Sequence, residues 1–159
     1  MKTCVVYDSA YGNTERIGQA IGAAIGSAEE VVIVKASEVQ VKQLSGVKLL
    51  IVGSPTQKFR PLASTTRLLK SIPNNGLQGV KVTAFDTRLT ESEIKRIRIL
   101  AFFVRLFGYA AKPIADRLVQ KGGELIAAPE GFYVKGTEGP LLEGELERAA
   151  AWATKIAAE

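Results

Sequence analysis

"VVYDSAYGNTERIG", residues 5–18, runs from an apolar stretch fit for a buried strand into a polar turn around Gly12, and Arg16 is its only basic residue. Ser9, Tyr11, Asn13 and Thr14 supply hydroxyls and an amide where a helix opens. A helix N-terminus presents unpaired backbone N–H groups and about half a positive charge, enough to hold a phosphate without any cation. A phosphate held by amides and hydroxyls is one reading of this turn. The other makes Thr14 no more than the N-cap of its own helix. The stretch has neither the lysine of a G-x-x-x-x-G-K-[ST] loop nor the spacing of G-x-G-x-x-G.

Outward from this turn, apolar runs alternate with helical periodicity. The pattern predicts strands over 5–8, 31–35, 49–53, 80–85 and 125–128, and helices over 14–25, 62–72, 112–120 and 141–158, with a short helix in the 35–48 link. Continuous apolar strands alternating with helices imply a parallel sheet covered on both faces. In the first helix Ile17, Ile21 and Ile25 recur beside Gly18, Gly22 and Gly26, a bare stripe that reads as close packing of helix on sheet. Gly122 and Gly123 close a helix, and Gly139-Pro140 is read as introducing the next.

At 159 residues with 47% hydrophobic and 23% charged residues, the chain suits one domain over 1–159. No histidine is present, which removes the commonest general base, the commonest zinc ligand and every Ser-His or Cys-His pair. Cys4 is the single cysteine and no internal disulfide can form. With no secretory leader and no membrane-length apolar run, the expected compartment is the cytoplasm. The formal charge of +5 suits an anionic ligand or surface, and is also common among soluble proteins.

Residues 5–14 resemble the signature of the flavodoxin family, an apolar pair and an aromatic followed by [ST]-x-x-G-x-T at a helix start. Tyr11 stands where the family usually has Thr or Ser, and Gly18 where it usually has Ala. Two further loops fit the resemblance, "IVGSPTQKFRPL" after the third strand and "AFDTRL" at the end of the fourth. It implies an α/β flavodoxin-like, doubly wound five-stranded parallel sheet of order 2-1-3-4-5 with helices on both faces. FMN is the implied cofactor, held at the carboxyl ends of the strands. Ser9, Ala10, Tyr11, Gly12, Asn13 and Thr14 would hold its phosphate. Ser54, Pro55, Thr56, Gln57, Lys58 and Phe59 would frame the ring, with Phe59 either stacking on it or anchoring the loop. Asp86, Thr87 and Arg88 would meet the ring's far side or the ribityl chain. No Tyr follows the fourth strand before Tyr109, so a stacking partner common in the family is missing from its usual place. The tail "GFYVKGTEGPLLEGELERA" matches a recurring C-terminal pattern of the family and is assigned structure but no chemistry.

Residues 91–111 form an apolar-basic insertion. From Ile94 to Phe107 it carries Lys95, Arg96, Arg98 and Arg105 and no acid, and as one helix it would align Lys95, Arg98, Arg105 and Lys112 in a heptad-spaced stripe. Four roles fit it: a helix covering the domain, a homodimer interface through 94–107 built on Phe102, Phe103, Leu106 and Phe107, a lid over an apolar substrate, or peripheral contact with an anionic membrane. Nucleic acid is not an expected partner, because the aromatics lie in the apolar side rather than among the cations.

The resemblance implies an FMN-binding electron-transfer protein that serves redox protein partners. The alternative is an FMN-dependent oxidoreductase of the quinone-reductase or protoporphyrinogen-oxidase kind on the same fold, and a third reading binds a partner without cofactor. No catalytic residue and no metal site is assigned. Family members are generally acidic, whereas Lys58, Arg60 and Arg88 are expected close to the ring here and should favour the negative charge of a reduced flavin.

Overall fold

The computed structural model describes residues 2–159, the side chain of Phe107 excepted. The apolar runs form strands β1 (Thr3–Tyr7), β2 (Val31–Lys35), β3 (Leu49–Pro55) and β4 (Lys81–Leu89). The fifth position is shared by β5 (Glu124–Leu125) and β6 (Glu130–Val134), both parallel to β4. The sheet order is β2-β1-β3-β4-β5, with β6 also on β4, so the expected doubly wound topology is present.

Period-2 alternation divides the strand side chains between two cores. Cys4, Val6, Leu50, Val52, Val82 and Ala84 face helices α2 (Ala63–Ser71) and α5 (Ala111–Gln120). Val5, Tyr7, Leu49, Ile51 and Phe85 face α1 (Asn13–Ile25) and α6 (Glu145–Ala157). Gly22 is the helix glycine pressed hardest on the sheet: a Cβ there would stand 2.4 Å from Ile33 Cδ1. Gly18 keeps an ordinary 3.5 Å from Tyr7 Cβ, and Gly26 lies past the helix as its C-cap. The expected packing role thus belongs chiefly to Gly22.

The structure departs from the sequence reading at several element ends, with β4 running to Leu89 where the reading ended at 85. The strand expected over 125–128 is split, because the chain leaves β4 after Ile126, whose N–H still donates to the Val82 carbonyl at 3.2 Å, passes Pro129, which has no N–H to donate, and rejoins β4 as β6. The helix expected from 141 starts at Glu145: Leu141 bridges to Val134, and the Leu142 N–H bonds to the Tyr133 carbonyl. Gly139-Pro140 therefore leads into a β-bridge and not into a helix. The short helix expected in the 35–48 link is present as a 3₁₀ helix, Val41–Leu44. The insertion folds as two helices, α3 (Glu91–Arg96) and α4 (Arg98–Phe107), separated by extended backbone at Ile97, so the proposed stripe is broken and Lys112 belongs to α5, paired with Asp116 at 2.8 Å.

Two carboxylates toward the carboxyl ends of strands, the half-buried Asp8 after β1 and the buried Asp86 in β4, tie helices to the sheet. Neither α2 nor α5 has a side-chain cap of its own. Asp8 accepts from Ser64 Oγ at 2.6 Å and from the N–H and hydroxyl of Thr65 at 3.3 and 3.2 Å, at the start of α2. Asp86 accepts the Ala111 N–H at 2.8 Å, at the start of α5. A carboxylate at a helix N-terminus satisfies orphan donors and complements the helix dipole.

Candidate functional site

The carboxyl ends of β1, β3 and β4 open on one cleft, where such a sheet reverses its strand order. Its narrow end encloses about 500 Å³, open to solvent, and is walled by Ser9, Ala10, Tyr11, Asn13 and Thr14 on one side and Pro55, Thr56, Gln57, Thr87 and Arg88 on the other. Leu89, Val134 and Thr137 complete it. Gly12 makes the turn into α1 at φ 90, where a side chain would be strained, and its N–H donates to Ser9 Oγ at 2.9 Å. Ser9 therefore keeps its own hydroxyl proton for another acceptor.

No side chain caps α1. The Thr14 hydroxyl, expected to be either a cap or a phosphate donor, is buried against Thr87 Oγ1 at 2.8 Å while it lines the cleft. The N-cap alternative is thereby removed. The first-turn N–H groups of α1 have no acceptor within the helix and face a wall of hydroxyls and amides with no lysine. Such a donor set suits a phosphate.

Neighbouring loops are cross-tied around this end. Asn13 Nδ2 donates to the Glu138 carbonyl at 3.1 Å, the Thr56 N–H to the Thr87 carbonyl at 3.0 Å, and the Ala110 N–H to Thr56 Oγ1 at 3.1 Å. The cleft is pre-organised by bonds that the protein makes with itself.

The wide end encloses about 1150 Å³, open to solvent, between Lys58 and Phe59 on one side and Leu89, Ile94, Leu100, Val104 and Tyr109 on the other. Gln57 and Arg60 exchange two 3.0 Å backbone bonds, closing a tight turn with Lys58 at φ 47 and Phe59 at φ 65. Bulky residues in the left-handed region are strained, and strain of this kind concentrates at ligand clamps. Phe59 packs its ring 5.7 Å from that of Phe103 in α4. It therefore anchors the loop to the insertion while it also lines the cleft.

Arg88 is held by two partners. Its Nε and Nη2 donate to Asp86 Oδ1 and Oδ2 at 2.6 and 2.7 Å, and its guanidinium lies 3.8 Å above the Tyr109 ring. Asp86 is fully buried, and burial pushes its carboxyl above the usual range, while Arg88 and the Ala111 N–H pull it back down. Burial likewise raises the Tyr109 phenol. The pair is net neutral, so Lys58 is the cleft-lining cation that makes no ion pair among the described residues.

Most of the residues singled out in the sequence meet in this cleft, and four do not line it. Gly12 shapes its turn. Ser54 is fully buried and takes the Leu62 N–H at 2.9 Å, stapling its own loop. Asp86 serves Arg88 and α5. Arg60 closes the turn through its backbone, is exposed and does not line the cleft. Sequence reasoning missed Val134 and Thr137, which lay in the tail given no chemistry, and Tyr109, Ile94, Leu100 and Val104, which lay in the insertion. The late Tyr109 was the available signal, because an aromatic at the end of an insertion can return to the site from which it is missing.

A flavodoxin family model matches residues 5–152. Among solved structures, a flavodoxin from the domain Archaea superposes with a TM-score of 0.72 at 24% identity, covering 99% of this chain and 97% of that one. Flavodoxin 1 from Bacillus cereus gives 0.77 at 15% identity, covering 100% and 99%. The rubredoxin oxygen:oxidoreductase of Desulfovibrio gigas gives 0.71 at 23% identity, covering 99% of this chain and 35% of that one. At these identities the structural likeness establishes the fold. A comparison with curated protein sequences gave no match.

Proposed function

The chain belongs to the flavodoxin family, whose cofactor is FMN, and from that premise we propose that it is an electron-transfer protein holding FMN in the cleft at the carboxyl ends of β1, β3 and β4. The supporting observation is the cleft's division of labour: hydroxyls and first-turn amides without a lysine at one end, where Arg88 is paired with Asp86, and a broad apolar slot at the other. Ser9, Asn13, Thr14 and the N-terminus of α1 hold the phosphate. Thr56, Gln57 and Thr87 line the passage for the ribityl chain, and Phe59, Leu89 and Tyr109 wall the ring and exclude water. Bound FMN would supply one- and two-electron chemistry, and the chain's own part is to position the ring and set the electrostatics around it.

A second reading, an FMN-dependent oxidoreductase acting on an apolar substrate such as a quinone, is favoured by the roof of Ile94, Leu100 and Val104 over the wide end. Anaerobic potentiometric titration of the FMN-loaded protein distinguishes the two. Two separated one-electron steps support the carrier. A single two-electron wave, with sustained NAD(P)H oxidation by a quinone over many turnovers, would put the enzyme first. We assign the work to the cytoplasm, since the lone Cys4 is buried, its thiol pushed up to about 11 by that burial, and calls for no oxidising compartment.

Because Arg88 is neutralised by Asp86, the positive influence at the wide end is that of Lys58. Lys58→Glu is expected to make the bound flavin's second reduction step more negative by tens of millivolts, on the order set by a nearby exposed charge. Arg88→Lys, which keeps the charge against Asp86, should move it much less. Equal potentials in Lys58→Glu and the parent would overturn the assignment.

A further inference from the structure

α4 uses two of its faces differently. Leu100 and Val104 line the cleft, and Phe103 packs on Phe59. On the outer side Ile99, Phe102 and Leu106, spaced i, i+3 and i+7, are 67%, 60% and 62% exposed, and Ile97 in the break is 51% exposed. Such a stripe of large apolar side chains on the surface marks an interaction site. Arg98 and Arg105, also i and i+7, run along its edge, and Lys95 precedes them. Arg96 pairs with Glu93 at 3.2 Å, whereas Lys95, Arg98 and Arg105 make no ion pair among the described residues.

We infer that the outer face of α4, with Lys95 just before it, docks on an anionic lipid surface, with Ile99, Phe102 and Leu106 entering the interface and Lys95, Arg98 and Arg105 meeting the headgroups. Charge decides the occupant. A second copy of the chain would meet this patch with the same patch, opposing arginine to arginine across a two-fold axis. An acidic protein partner would answer the cations, but residues 94–107 hold only Ile, Leu, Val, Ala, Phe, Lys and Arg, with no neutral polar side chain for the hydrogen bonds that a protein interface uses. Apolar residues flanked by cations, and nothing else, are what a helix lying in an anionic bilayer interface requires. The docking does not depend on what fills the cleft. Since the same helix roofs the cleft's wide end, it would bring that opening to the bilayer, where an apolar redox substrate is dissolved.

Vesicle flotation with the full chain tests this, using phosphatidylcholine vesicles with and without about one third phosphatidylglycerol. Retention on the anionic vesicles only, lost at high salt, is expected. Arg98→Gln with Arg105→Gln should weaken partitioning by roughly thirty-fold, about one headgroup attraction per arginine. Phe102→Ser with Leu106→Ser should abolish retention and leave the unfolding midpoint in place, because both side chains are mostly in water. No retention by the parent chain, equal retention on neutral vesicles, or retention unchanged in both double variants would overturn the proposal. A parent that is dimeric by light scattering and becomes monomeric with Phe102→Ser and Leu106→Ser would assign the face to self-association instead. An unfolded serine variant leaves the parent's salt and lipid dependence, and the arginine variant, as the deciding measurements.

Discussion

Arg88→Met is expected to cost about 3–5 kcal/mol of stability, because it leaves the fully buried Asp86 carboxylate with a single N–H partner, Ala111. For a domain of this size that is a fall in melting temperature of roughly 10 °C or more. The loss has a signature that simple lost packing does not. Without Arg88 nothing but the Ala111 N–H opposes the effect of burial, so the carboxyl's folded-state pKa rises further above its unfolded value. The folded state then binds more protons than the unfolded state between those two values, and stability falls as pH rises through that window. The variant should regain melting temperature as pH is lowered from neutral, relative to the parent. Asp86→Asn in the same background should restore part of the loss at neutral pH, since no buried charge remains. A variant as stable as its parent, or one with the parent's pH profile, would show that the pair does not carry this load.

Gly53→Ala is expected to destabilise by about 3 kcal/mol, through overpacking with no room for relief. Gly53 and Phe85 are register partners on β3 and β4, and an added Cβ would stand 2.1 Å from Phe85 Cζ and 2.3 Å from its Cε2. The Phe85 ring cannot swing away, because it is fully buried and packs on Phe132 at 6.3 Å, which packs on Trp152 at 5.9 Å. The damage should reach the cleft, since the Gly53 carbonyl accepts the Asp8 N–H at 2.9 Å just before the 9–14 turn. Chemical denaturation of Gly53→Ala, alone and with Phe85→Leu, measures the effect. The double variant should recover part of the stability, whereas simple additivity of the two losses would contradict this account of the contact.

The covered parallel sheet was legible from local signals, while its strand order and the place of the cleft came with the resemblance to the flavodoxin family. Continuous apolar runs at β1, β3 and β4 required a sheet covered on both sides, and a glycine turn of hydroxyls entering a helix marked its binding edge. What was not legible depended on where side chains turn once the chain is folded. Ser54 and Asp86 sit beside cleft residues in sequence, yet the Ser54 hydroxyl accepts the Leu62 N–H and the Asp86 carboxylate the Ala111 N–H, both from distant segments. The break at Ile97 was hidden because residues on either side of it are apolar or basic, so periodicity continued through it. Tyr109 reaches the cleft together with Ile94, Leu100 and Val104 because the two helices of the insertion wall its wide end, a tertiary event with no local signature.

The central claim is that the 9–14 turn and the N-terminus of α1 hold a phosphate, and the direct measurement is a comparison of FMN with riboflavin binding to the purified chain, by quenching of flavin fluorescence. FMN is expected to bind at least about a hundred-fold more tightly, the effect of two or more lost charge-assisted hydrogen bonds. Equal affinity for the two flavins, or no binding of FMN, would contradict it.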